Sequence, residues 1–170
     1  MILICYDRSA DSHAAVVQAS KLFAGQAATV LSVWEPFEEL VAHKSLGFGA
    51  VVAPADVETI DKGGREQAET AAAEGAKLAT ELGMSAVPKI VVQRITIART
   101  ILAEAETLDA LAIVMGSRGL TGVKSLLLGS VSHEVIQHAD RAVVVVPSGE
   151  VAASRARAMH EKGANVRSET

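Results

Sequence analysis

The segment from Leu111 to Pro147, LAIVMGSRGLTGVKSLLLGSVSHEVIQHADRAVVVVP, decides the fold of this chain. Its two apolar runs, Leu111–Met115 and Ala142–Val146, are typical of buried strands, and a helix is predicted between them from about Val131 to His138. Pro147 ends the second run because proline cannot donate to a strand ladder. Two strands joined through a helix are expected to lie parallel in one sheet.

The same alternation of apolar runs and helical patterns continues toward the N-terminus. Further strands are predicted at Ile2–Tyr6, Ala28–Trp34 and Val87–Gln93. Helices are predicted from Ser9 or Asp11 to about Gly25, from about Val57 to Leu82 with Gly63 and Gly64 delaying its start, and from Ile97 to Leu108 with Thr96 as its cap. The sequence therefore predicts an α/β fold with a single doubly wound, five-stranded parallel sheet and helices on both faces, for which 3-2-1-4-5 is one natural strand order.

Composition excludes several classes of protein. The chain has 170 residues, 49% of them hydrophobic, which argues against disorder and suits one domain with a proper core. Its formal net charge is −4 and it has no basic cluster, so no nucleic-acid partner is expected. No apolar run approaches the roughly 18 residues of a membrane span. We expect a cytoplasmic protein, because the N-terminus lacks a secretion pattern and Cys5 is the single cysteine.

The glycine-rich stretch GSRGLTGVKSLLLGS, Gly116 to Ser130, is the candidate binding element. Its glycines allow backbone amides to converge on one point, and Gly129 and Ser130 directly precede a predicted helix, whose N-terminus suits a phosphate. A tight turn followed by a serine cap is the alternative interpretation of these residues. In the order 3-2-1-4-5, ligands bind where winding reverses between strands 1 and 4, next to Asp7 and Gly116. The stretch matches neither the Walker A loop nor the G-x-G-x-x-G turn.

The spacing Gly116-x2-Gly119-x9-Gly129-Ser130 resembles the G-x2-G-x9-G-[S/T] pattern of ATP-binding universal stress proteins. The resemblance covers residues 1 to 147, including the opening strand that ends at Asp7. Residues 148–170 remain as a polar C-terminal tail, for which a mobile or a partly helical segment is expected. It implies a dimeric ATP-binding domain with the strand order 3-2-1-4-5. One departure is the segment QRITIAR after strand 3, where members of the family often carry a Gly-x-Pro turn.

The resemblance also implies which residues contact the nucleotide. Adenine and ribose are expected at Asp7, Val33, Met115 and Gly116, and the phosphates at Gly119, Gly129, Ser130 and Val131. Ser132 is expected to add a hydroxyl donor, and Arg118 is a cation within reach of phosphate at a position that the motif leaves open. ATP is the expected ligand, with Mg²⁺ or Mn²⁺ held by its phosphates rather than by side chains.

Three functional hypotheses remain open from the sequence. The favoured one is an ATP-binding regulatory protein of the stress response; the alternatives are a slow ATPase or nucleotidyltransferase, and a scaffold that binds no nucleotide. A homodimer is expected through strand 5, because Val143, Val144, Val145 and Val146 form an apolar, uncharged sheet edge. The alternative for this edge is coverage by the tail. The long loop from Glu35 to about Ala55 is expected to form a flap or a mobile segment.

Overall fold

The computed structural model describes residues 1–37, 54–120, 128–154 and 156–157. The described residues form five strands: β1 (Ile2–Cys5), β2 (Ala27–Trp34), β3 (Ser85–Val92), β4 (Ala112–Gly116) and β5 (Ala142–Val146). The helices of the described residues that alternate with them are α1 (Ala10–Leu22), α2 (Pro54–Glu81), α3 (Ile97–Thr107) and α4 (Ser130–His138). The flap predicted at Glu35–Ala55 lies largely outside the described residues, as does most of the tail.

The strands form one parallel sheet in the order β3-β2-β1-β4-β5, which confirms the predicted fold class. β1 lies in the centre, with Ile2 opposite Ala28 of β2 on one side and opposite Ala112 of β4 on the other. The winding direction therefore reverses between β1 and β4. β3 and β5 are the edges of the sheet.

Helices cover both faces of the sheet, and the alternation of side chains along β1 separates two cores. Ile2 and Ile4 point to one face and pack in a cluster that includes Ala15 of α1 and Ala71 of α2. Leu3 points to the opposite face and packs with α3 and α4. This two-sided burial explains why the strands are continuous apolar runs rather than alternating ones.

Several element boundaries differ from their predicted positions. α2 begins at Pro54, and Gly63 and Gly64 lie inside it rather than delaying its start. Each internal glycine costs a helix roughly 1 kcal/mol, and burial of the alanine face of α2 against the sheet offsets that cost. β3 begins at Ser85, two residues before the predicted start, and it accommodates Pro88 as an edge strand can.

Residues 149–154, which follow β5 after Pro147 and Ser148, are helical. The Ala152 N–H donates to the Ser148 carbonyl at 2.9 Å, and Val151 is buried, so this part of the predicted tail packs on the domain. Among the described residues, no helix combines the length and apolar character needed to cross a membrane.

Candidate functional site

A cavity of about 320 Å³ opens at the carboxyl ends of β1 and β4, where the winding of the sheet reverses. All of the site residues predicted from the sequence line this cavity: Asp7, Val33, Met115, Gly116, Arg118, Gly119, Gly129, Ser130, Val131 and Ser132. They come from both halves of the chain and meet only in the folded protein. Their individual contacts with a ligand stay predictions.

One end of the cavity is apolar and lies between the sheet and α3. Its lining consists of Cys5, Leu31, Val33, Ile97, Ile101 and Met115. Burial, followed by the charge of Asp7, raises the pKa of the Cys5 thiol to about 12. Cys5 therefore stays a neutral, small apolar side chain at neutral pH, suited to packing against a flat ring rather than to nucleophilic chemistry.

The backbone of Val33 supplies polar groups at this apolar end. The Tyr6 N–H donates to the Leu31 carbonyl at 2.9 Å, so the peptide groups of Leu31 face β1. Val33 lies two residues further along β2 and faces the same side, but the pairing of β1 with β2 ends at Cys5 opposite Leu31. The N–H and carbonyl of Val33 are thus directed toward the space where β1 has ended.

Three glycines of the candidate binding element lie at close approaches between chain segments. A Cβ on Gly116 would lie 2.8 Å from both the Asp11 carbonyl carbon and the Ser12 nitrogen, in the first turn of α1. A Cβ on Gly119 would lie 2.8 Å from the Asp7 Oδ2 atom. At Gly129 the space is wider, with the nearest contact to the Arg118 Cα at 3.4 Å. The glycine spacing therefore has a packing role at Gly116 that the sequence did not reveal.

The N-terminus of α4 forms the polar end of the cavity. Its N-cap is Gly129, and no side chain of the described residues caps the helix. The first-turn residues Ser130, Val131 and Ser132 all line the cavity, and Ser130 is exposed. A helix end of this kind combines unpaired N–H groups with a partial positive charge, which favours an anion.

Two predicted phosphate contacts are engaged within the protein itself. The Ser132 hydroxyl is buried and lies 2.9 Å from the Ser117 carbonyl and 3.0 Å from the Gly129 carbonyl, so it donates inward rather than standing ready as a donor to phosphate. The Arg118 Nε atom lies 3.7 Å from Asp11 Oδ2, and the side chain is only 16% exposed. Arg118 therefore flanks the cavity with its guanidinium directed toward an acid.

Asp7 forms the rim on the β1 side. Its Oδ1 atom accepts a hydrogen bond from the Ser9 N–H at 3.0 Å, and its other carboxylate oxygen is directed toward Gly119. Ser9 caps α1, since its side chain accepts from the Ser12 N–H at 3.1 Å; the sequence had left Ser9 and Asp11 as alternatives for this cap. Arg8, which lies between Asp7 and Ser9, adopts a φ of 68° and so turns the chain sharply from β1 into α1.

Ser117 is a residue that the sequence reasoning missed. It is fully buried, and its N–H donates to the Val146 carbonyl at 2.8 Å while its carbonyl accepts from the Gly129 N–H at 2.8 Å. Its hydroxyl donates to Asp11 Oδ2 at 2.7 Å. Ser117 thus joins the start of the glycine stretch to β5, to α4 and to α1. Its place in the open part of the G-x2-G spacing gave no signal of this role.

Nothing in the described part of the chain groups three or more His, Cys, Asp or Glu side chains as a metal site would require. His133 and His138 are both exposed on α4. Glu134 is partly buried, and its Oε1 atom accepts a hydrogen bond from the Thr96 hydroxyl at 3.0 Å. That contact joins α4 to the N-cap residue of α3.

The family model described as "Universal stress protein family" matches residues 1–147. The chain belongs to the universal stress protein family. This confirms the family resemblance, and the match ends directly after β5, where the predicted tail begins. No curated protein sequence matches the chain at a significant level.

Solved structures similar to this universal stress protein have its fold. Hypothetical protein MJ0577 matches with a TM-score of 0.69 and 24% identity over 86% of this chain and 94% of that one. A universal stress protein in complex with cAMP matches with a TM-score of 0.58 and 20% identity over 87% and 97%. A universal stress protein family protein from Arabidopsis thaliana with AMP bound matches with a TM-score of 0.59 and 12% identity over 87% and 91%. At these identities the matches establish the fold alone.

Proposed function

We propose that this universal stress protein binds adenine nucleotides, with ATP as the main ligand, in the cavity between β1 and β4. The observation that carries the proposal is a cavity with two different ends. One end is apolar and is bordered by the backbone N–H and carbonyl of Val33, and the other end is the N-terminus of α4. The complexes of related proteins with cAMP and AMP support a ligand of this class. The protein acts in the cytoplasm as a regulatory protein of the stress response that responds to its bound nucleotide.

The base end of the cavity suits adenine. The peptide groups of Val33 offer one N–H donor and one carbonyl acceptor toward the cavity. Adenine presents a ring-nitrogen acceptor beside an exocyclic amino donor and complements that pair. Cys5, Ile101 and Met115 provide apolar surface for the faces of the ring, and an apolar pocket with few placed polar groups is typical of small-ligand sites.

The phosphate end combines Gly119, Gly129 and the first turn of α4. Backbone N–H groups at an uncapped helix N-terminus bind phosphate oxygens without any lysine. Mg²⁺ or Mn²⁺ accompanies the phosphates and is held by their oxygens and water. Glu134, the acid in the first turns of α4, is hydrogen-bonded to Thr96 and is not placed to activate a water molecule. Rapid ATP hydrolysis is therefore not part of the proposal, and slow hydrolysis or nucleotidyl transfer remains the alternative.

Calorimetric titration of the full-length protein with MgATP tests the proposal, with the fluorescence of the single tryptophan, Trp34, as a second readout beside Val33. A dissociation constant on the order of micromolar is expected. Gly129→Val should weaken binding at least roughly tenfold, because its γ-methyl groups crowd the space beside Arg118. Gly63→Val is the matched control, since a Cβ there meets nothing within 4 Å and Gly63 lies on α2. Absence of binding at millimolar MgATP would refute the proposal.

A homodimer through β5 is the second part of the proposal. The Ser117 N–H donates to the Val146 carbonyl, so the peptide groups of Val144 and Val146 face β4 and those of Val143 and Val145 face outward. Pairing with a second copy of β5 across a two-fold axis would satisfy this edge. The expected interface involves all four valines, Val143 to Val146.

The backbone geometry of β5 allows a selective test of this dimer. Val145→Pro removes an outward N–H and should give a monomer, whereas Val144→Pro removes an N–H that faces β4 and should lower the melting temperature instead. Sedimentation equilibrium at tens of micromolar, roughly the range for a standard-size interface, measures the state of each variant. A monomeric wild-type protein, or a dimeric Val145→Pro variant, would contradict the β5 dimer.

A further inference from the structure

Asp11 is a buried carboxylate that lies outside the cavity but contacts two segments that frame it. It belongs to the first turn of α1 and is only 4% exposed. Its Oδ2 atom accepts the 2.7 Å hydrogen bond from the Ser117 hydroxyl, and its Oδ1 atom accepts from the Ser148 N–H at 3.0 Å. The Arg118 guanidinium approaches the Oδ2 side at 3.7 Å. One side chain thus joins α1, the turn Gly116–Gly119 and the segment after β5.

The electrostatic state of Asp11 agrees with its contacts. Burial acts to raise the pKa of this carboxyl, but the hydrogen bonds from Ser117 and Ser148, together with the charge of Arg118, hold the pKa below its ordinary value. Asp11 is therefore ionised at neutral pH and retains its acceptor capacity on both oxygens. An ionised, hydrogen-bonded carboxylate fixes its partners more firmly than a neutral group does.

We propose that Asp11 is a positioning residue that shapes the phosphate end of the cavity by fixing Ser117 and directing the Arg118 guanidinium along its wall. This inference rests on the proposed nucleotide function and deepens it. Ser117 connects the contact to the ligand side, because its carbonyl accepts from the Gly129 N–H and from the Ser132 hydroxyl. A shift of Ser117 moves the N-terminus of α4, whereas the apolar lining on β2 and α3 has no contact with Asp11 among the hydrogen bonds of the described residues.

The placement of Asp11 predicts an effect that depends on the phosphates of the ligand. Loss of Asp11 should weaken ATP binding and leave adenosine binding nearly unchanged, because adenosine uses only the base and ribose end. A residue that merely supported the fold would lower both affinities by the same factor. The ratio of the two dissociation constants, for adenosine over ATP, is therefore the diagnostic quantity.

The experiment measures both ligands by calorimetry on the full-length wild type and on Asp11→Asn, Ser117→Ala and Ser148→Ala. For Asp11→Asn the ratio should fall roughly tenfold, the size of one lost hydrogen bond to a charged group. Ser117→Ala removes the ligand-side contact of the same carboxylate and should lower the ratio in the same direction. Ser148→Ala is the matched control on the tail side: it removes the Ser148 hydroxyl beside Asp11, keeps the Ser148 N–H bond, and should leave the ratio within about twofold of wild type. Thermal melting of each variant establishes that it is folded.

The possible results separate this inference from the proposed function. An unchanged ratio in both Asp11→Asn and Ser117→Ala would overturn the positioning role while nucleotide binding stands. This holds whether the two affinities fall equally or neither of them changes. If Asp11→Asn fails to fold, Ser117→Ala decides the question by itself, since it keeps the carboxylate. A wild-type protein that binds neither ligand would instead remove the proposed function, and the inference with it.

Discussion

Replacing Gly116 by alanine should destabilise the fold, although the change adds a single methyl group. The new Cβ would lie 2.8 Å from the Asp11 carbonyl carbon and from the Ser12 nitrogen, and 2.9 Å from the Asp11 Cβ. Non-bonded carbon atoms prefer separations of about 3.5–4.0 Å. Two of these three neighbours are backbone atoms of a helix, so no side-chain rotation relieves the clash. β4 cannot retreat either, because it is hydrogen-bonded to β1 and β5 on its two sides.

The magnitude follows from this confinement. Overpacking of a well-packed core costs about 1–3 kcal/mol, and a rigid backbone contact on a central strand places Gly116→Ala near the upper value, about 3 kcal/mol. For a chain of this size each kcal/mol lowers the melting temperature by about 2–4 °C, so a decrease of about 6–12 °C is expected. Thermal unfolding followed by circular dichroism measures it.

Gly63→Ala is the control for this experiment, and its expected effect has the opposite sign. Gly63 lies inside α2, and a Cβ there meets nothing within 4 Å. Alanine is favoured over glycine in a helix interior by about 1 kcal/mol, so the melting temperature should rise by about 2–4 °C. A Gly116→Ala protein that melts within about a degree of wild type, with Gly63→Ala behaving as expected, would refute the close-approach argument.

Three further predictions concern the chemistry of the site. Asp11→Asn should lower the free energy of unfolding by about 1.5–3 kcal/mol at pH 7. Because the pKa of Asp11 is lowered in the folded state, this difference is present above about pH 4 and is lost as the pH falls through the folded-state pKa. Urea titrations at several pH values measure the difference. Cys5, whose pKa is raised to about 12, should react with iodoacetamide at pH 8 roughly a thousandfold more slowly than free cysteine; labelling within minutes, detected by mass spectrometry, would contradict the raised pKa. ATP turnover should stay below about one per second in a phosphate-release assay, and a faster rate would favour the ATPase alternative.

The fold was largely predictable because its strands are short apolar runs separated by helical patterns. Both faces of β1 are buried, so Ile2 to Ile4 form an uninterrupted apolar run that only a covered, parallel sheet accommodates. The boundaries were less predictable. α2 extends through Gly63 and Gly64 because tertiary packing of its alanine face overrides the local preference of glycine, and packing is not visible in a local sequence window.

The cavity lining was predictable for a different reason, namely the glycine spacing and the family resemblance. Spacing and resemblance identified residues that all line one cavity, but they assigned each of these glycines a contact with the ligand, on the ribose side for Gly116 and with the phosphates for Gly119 and Gly129. In the structure Gly116 lies so close to the first turn of α1 that a Cβ would clash with it. Gly129, in contrast, has room for a Cβ and directly precedes α4, which no side-chain hydrogen bond caps. Asp11 and Gly116 are far apart in sequence, so no local pattern could have indicated their contact.

The three glycines should therefore respond differently to the same substitution. Alanine at Gly116 should lower stability before it affects any ligand. At Gly119 it displaces only the Asp7 carboxylate, the end of a flexible side chain, so stability should be kept while the rim of the cavity changes. Alanine at Gly129 meets the Arg118 Cα at 3.4 Å, a contact that small adjustments can accommodate, so any loss there should appear in nucleotide affinity. Melting temperature and affinity, measured together on the three variants, thus separate the glycine that the fold requires from those that the proposed ligand requires.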